Sequence, residues 1–159
     1  MQNTQLTNAP VMKTAMLVRK PMADVFQAFI DPEITTQFWF TKSNGKLEPD
    51  KHVQWDWEMY GVSAQVFVKA IEANKRILIE WGADGEHPTT AEWIFTSHGD
   101  NATFVSITET GFVGDADKLV SQALGSTGGF TLVLAGLKAL LEHNVTLNLV
   151  ADRFPGESQ

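Results

Sequence analysis

The sequence predicts one α+β domain, an antiparallel sheet with a long C-terminal helix laid on one face. Three observations predict it. Strand-like runs are grouped in the middle of the chain instead of alternating with helices, which argues against a parallel sheet. Residues 53–59 alternate apolar and polar with a period of two, as in a sheet with one covered and one wet face. Phe130, Val133, Leu134, Leu137, Leu140 and Leu141 then recur at spacings of three and four, the strongest amphipathic helix in the chain.

In chain order, residues 1–10 are polar and read as a disordered N-terminal tail. Apolar and β-branched residues from Val11 to Arg19 predict a first strand, stopped at Lys20-Pro21. Pro21 opens a helix with the stripe Ala23, Val25, Phe26, Phe29 and Ile30. Asp31-Pro32 ends it, because the residue before a proline is pushed out of the α region. A short helix over Glu33 to Gln37 precedes the aromatic run Phe38-Trp39-Phe40, and residues 41–51 form a polar loop with an Asn44-Gly45 turn. Strands are expected over 53–59, 62–72, 76–81, 90–97 and 103–110, with turns at Tyr60-Gly61, Asn74-Lys75 and Gly99-Asp100-Asn101. Residues 115–124 read as helical, Gly125 to Gly129 as a break or flexible hinge, and 130–141 as the long helix with Asn144 as its left-handed cap. The tail from Val145 is expected to add a short extended piece. A single domain over 11–150 is expected, with 151–159 as a C-terminal tail.

Composition excludes several classes of function. At 159 residues and 43% hydrophobic content the chain can bury a core, and wholesale disorder is ruled out. The absence of cysteine removes disulfides, thiolate metal sites and cysteine nucleophiles, and suits a reducing cytosol. A net charge of -7 without a basic stripe argues against a nucleic-acid surface. The N-terminus has no signal-peptide core, and the apolar stretch near 130–141 is interrupted before it reaches bilayer length. A soluble, cytoplasmic protein without membrane insertion is expected. Among the four histidines no two stand at i, i+4 beside a carboxylate, so neither a zinc site nor a cofactor is expected. The run Gly125-Ser126-Thr127-Gly128-Gly129 has the spacing of neither a nucleophile elbow nor a phosphate loop.

The segment from Pro21 to Pro32, followed by Phe38-Trp39-Phe40, resembles the opening of START-like (SRPBCC) domains. It looks most like the branch named after activators of the heat-shock protein 90 ATPase. Residues 76–81, 103–111 and 136–142 extend the likeness to roughly residues 11–145. The resemblance implies a helix-grip (START/Bet v-like) fold, with a hydrophobic cavity between the curved sheet and the long helix. Two departures touch the cavity mouth: Phe130 stands where the family usually has tryptophan near the start of the last helix, and residues 115–129 are glycine-rich.

Strand alternation turns Val53, Trp55, Trp57, Met59, Ile77, Ile79, Trp81, Ala91, Trp93, Phe95, Val105 and Ile107 inward, four of the five tryptophans among them. The residues expected to meet a ligand are Trp55, Trp57, Trp81, Trp93, Phe95, Ile107, Glu109, Phe130, Leu134 and Leu137. Glu109 shares parity with Val105 and Ile107, and a partly desolvated carboxylate there is the candidate general acid or base. By alternation alone these rings fill the core and Glu109 is a rim carboxylate; the resemblance is what implies the function, binding of a hydrophobic or aromatic, lipid-like molecule. The alternatives are a polyketide cyclase-like enzyme and a module that stimulates a chaperone ATPase. A homodimer through an edge strand or the outer side of the long helix is a further expectation.

Overall fold

The computed structural model describes Leu6 and residues 8–156. The rest of both expected tails, residues 1–5, 7 and 157–159, lies outside the described residues. Strand β1 (Met12–Val18) leads into helix α1 (Met22–Ile30). Asp31 ends α1 in an extended conformation and at once caps α2 (Pro32–Thr35), its side chain accepting from the Glu33 N–H at 3.0 Å. The buried Thr35 hydroxyl donates to the carbonyls of Ala28 and Asp31, which locks the two helices together.

Strands β2 (Lys42–Ser43), β3 (His52–Trp57), β4 (Val62–Glu72), β5 (Arg76–Gly82), β6 (Thr89–Ser97) and β7 (Thr103–Thr110) follow. They form one curved antiparallel sheet in the order β1-β7-β6-β5-β4-β3-β2. The first strand therefore pairs with the last, Met12 opposite Glu109 and Val18 opposite Thr103. The segment read as a polar loop gives the edge strand β2. Met59, expected to face inward, does not. A 3₁₀ turn over Glu58–Tyr60, closed by Gly61 at φ 61°, ends β3 early and leaves Met59 40% exposed.

Helix α3 (Ala116–His143) runs unbroken for 28 residues through Gly125, Gly128 and Gly129. The expected break is thus corrected. Each interior glycine costs a helix about 1 kcal/mol relative to alanine, and both ends of α3 are fixed. Asp115 accepts from the Lys118 N–H at 2.8 Å, and Asn144 at φ 53° closes the far end as its sequence position predicts. By length and composition α3 could cross a bilayer. Here Phe130, Val133, Leu134, Leu137 and Leu140 bury one side of it in the core. The expected extended piece after α3 is instead a short helix, α4 (Leu149–Arg153), which spans residue 150, where the sequence reading ends the domain. The Tyr60 hydroxyl reaches it, donating to the Val150 carbonyl and lying 3.2 Å from that of Ala151.

The core is largely aromatic. Phe29 meets Phe38 edge-on at 5.5 Å, and Phe40 stacks on Trp55 at 4.6 Å, geometries that add stability beyond simple burial.

Candidate functional site

A cavity of about 550 Å³ opens between the sheet and the middle of α3, from Gln122 to Val133. Its sheet wall comes from Trp57 at the end of β3, Ala64 of β4, Trp81 of β5 and Glu109 of β7. Gln122, Gly125, Ser126, Gly129, Phe130 and Val133 supply the wall from α3, their spacing placing them on one helix face. Trp39 and Phe112 add rings from the connecting segments, and α4 contributes Val150 and Arg153 at the rim. The glycines are what leave room. A Cβ added at Gly125 would meet nothing within 4 Å.

Four rings on this wall touch one another. Trp39 lies 6.2 Å from Trp57 and 5.8 Å from Trp81, and Trp81 lies 5.7 Å from Phe130, centroid to centroid. Trp57 and Trp81 are half-buried, and Trp39 and Phe130 are buried.

Set into this apolar wall is one polar cluster. Glu109 is only 5% exposed. The Trp81 Nε1–H donates to its Oε2 at 2.8 Å, the Thr89 hydroxyl donates to the same oxygen, and the Ser126 hydroxyl donates to Oε1. Three donors from β5, β6 and α3 thus converge on one carboxylate of β7. An ionised carboxylate has about four lone-pair sites, and these donors occupy three of them. Such a cluster can hold a polar group of an occupant and fix its orientation, or exchange a proton with it. Among the described residues no three metal-ligating side chains come together.

Of the residues expected to meet a ligand, Trp57, Trp81, Glu109 and Phe130 line this cavity. Trp55, Trp93, Phe95, Ile107, Leu134 and Leu137 are packed in the core behind it. The buried Trp93 Nε1 has no hydrogen-bond partner among the described residues. Sequence reasoning missed Trp39, Thr89, Phe112, Ser126 and Arg153. Trp39 stood in the quoted aromatic run, and Ser126 became legible only once the glycine run proved to be helical.

Residues 19–142 match the family described as activator of Hsp90 ATPase homolog 1-like protein. The chain belongs to this family. Membership places it among START-like (SRPBCC) proteins of helix-grip fold. Protein SSP2350 from Staphylococcus saprophyticus is 32% identical, over 87% of this chain and 96% of that one, with a TM-score of 0.74. Two further structures share the fold at lower identity. The Aha1 dimer from Colwellia psychrerythraea, solved in solution, has 14% identity over 84% of this chain and 97% of that one, TM-score 0.73. DynU16, a protein of the dynemicin biosynthetic locus, has 17% identity over 86% of this chain but 48% of its own, TM-score 0.72. No curated protein sequence matches the chain.

Proposed function

We propose that this family member binds a hydrophobic or aromatic small molecule in the cavity under α3, as a cytoplasmic carrier or sensor. One observation carries the reading: about 550 Å³ of space, walled by Trp39, Trp57, Trp81 and Phe130, with its buried polar atoms gathered at Glu109. That combination, mostly apolar lining with a few convergent polar groups, is what small-molecule sites have in common. The origin of DynU16 in a biosynthetic locus supports a small-molecule role.

Native mass spectrometry of the purified protein, followed by tryptophan-fluorescence titration with a lipid and aromatic library, tests it. Saturable quenching is expected from Trp39, Trp57 and Trp81. It should be lost in Gly125→Phe, which directs a ring into the space beside the helix. A well-folded protein with no copurified mass and no titratable change would sink the reading. Product formation from polyketide-like compounds would move the assignment to an enzyme using Glu109 as acid or base. The family description supplies the chaperone reading; the chain is expected to leave an Hsp90-type ATPase rate unchanged. Self-association, for which the Colwellia dimer is the precedent, is read by sedimentation.

A further inference from the structure

We propose that the ligand is an organic cation, an amine or quaternary ammonium carried on an aromatic or aliphatic frame, with its charge seated at Glu109 among the rings of Trp81, Trp57 and Trp39. The inference rests on the cavity reading above and specifies the chemistry of that same site.

Buried carboxylates ordinarily have a cationic partner, because taking a lone charge out of water is costly. Glu109 has none. The ion pairs among the described residues involve Asp31, Glu48, Glu72, Glu80, Glu92 and Glu142, all elsewhere. Its three donors, from Trp81, Thr89 and Ser126, are all neutral. They occupy three of its lone-pair sites, none of them brings a positive charge, and the side chain borders the cavity. The neighbouring rings complete the site. The negative face of an indole attracts a cation within about 6 Å of its centroid, more strongly where water is excluded. The Trp81 N–H bond holds that ring beside Glu109, and Trp39 and Trp57 pack against Trp81 at 5.8 and 6.3 Å, so three indoles stand around the carboxylate's end of the cavity.

The remaining charges at the cavity are consistent with this polarity. Glu86 and His87, both exposed, line it from the 83–88 loop. Arg153, the one lysine or arginine on the wall, is exposed at the rim, lying against Gly128 and over the Phe154 ring at 5.0 Å. Solvent screens it there. The net charge of -7 favours approach of a cation from any side.

Isothermal titration calorimetry with three compounds of one shape tests the proposal: 2-naphthylmethylammonium, 2-naphthalenemethanol and 2-naphthoate. The native protein should bind the ammonium about tenfold more tightly than the alcohol, with the carboxylate weakest. In Glu109→Gln the ammonium preference over the alcohol should vanish. Equal or tighter binding of the alcohol by native protein would overturn the cation and leave the cavity reading standing. So would an ammonium preference that survives in a folded Glu109→Gln. A naphthoate preference abolished in Arg153→Gln would place an anionic group at the rim and overturn the proposal as well. Failure of all three to bind would overturn the cavity reading together with this one. If Glu109→Gln does not fold, the order of the three affinities in native protein decides alone.

Discussion

Glu109 joins four pieces of the molecule through one side chain. Its partners Trp81, Thr89 and Ser126 come from 28, 20 and 17 residues away, on two strands and a helix. Truncation strands three donors at once, so Glu109→Ala should cost about 1–3 kcal/mol. Ser126→Ala removes a single bond and should cost no more than about 1 kcal/mol. Urea unfolding of both variants checks the order. If the two cost the same, the carboxylate is not the hub. The inward direction of Glu109 was legible in the sequence, because a period of two carries parity from Val105 and Ile107 to the strand's end. Its partners were not, since nothing local to residue 109 marks which hydroxyls the fold delivers. The same limit applies to Trp55 and Trp93. Alternation puts them inside without saying whether they meet other side chains or open space.

At the scale of the element, α3 shows why glycine was misleading. A run of three glycines within five residues reads as a break when judged by propensity alone. Yet the cost of about 1 kcal/mol each is small beside the packing of Leu134, Leu137 and Leu140 and a capped residue at either end. The glycines are not equivalent, and this predicts opposite outcomes for the same substitution. Gly125→Ala places its methyl in open space on an exposed helix position, and should stabilise by about 1 kcal/mol. Gly136 crosses the Phe38 backbone, where a new Cβ would lie 3.3 Å from the Phe38 Cβ and 3.4 Å from its carbonyl oxygen. Gly136→Ala should destabilise by about 1–3 kcal/mol despite its better helix propensity. Thermal melts of the pair distinguish them. A shared direction of shift would mean that space around α3 does not govern its glycines. Helix α4 was illegible for a different reason. Five residues carry no periodicity, and the hydroxyl that reaches them belongs to Tyr60, 90 residues earlier.

Across the whole molecule the C-terminal end of α3 is tied to the first strand through Glu142. Its Oε2 accepts from the Arg19 N–H at 2.9 Å and from the Lys138 ammonium at 2.7 Å, while Lys138 also donates to the Leu17 carbonyl at 2.7 Å. Burial pushes the Glu142 carboxyl upward. The Arg19 bond and the Lys138 bond and charge outweigh that effect and hold it below the ordinary 4.5. A depressed folded value means that Glu142 adds stability above pH 4.5, and that this is lost as pH falls through the folded value. Glu142→Gln should therefore cost about 1–2 kcal/mol at pH 7, with the deficit shrinking at acid pH. Denaturant titrations of both proteins at pH 7 and pH 3 measure it. A deficit independent of pH would assign the loss to packing. The architecture itself was largely legible, because grouped strands followed by an amphipathic helix leave few arrangements. The cavity's position was less so, since it depends on which part of α3 lacks side chains facing the sheet.

That asymmetry along α3 has a kinetic consequence. From Phe130 onward the helix buries one face and is tied to β1, whereas its first three turns carry exposed Val120 and Leu124, the latter 68% exposed. Local opening is least costly where few apolar groups are buried, so amide protons of residues 119–127 should exchange well before those of 133–141. The cavity lies under the junction of the two, from Gln122 to Val133. An occupant that packs against Gln122, Gly125 and Ser126 should therefore slow the exchange of the faster segment, so amide exchange would read out binding as protection of those turns.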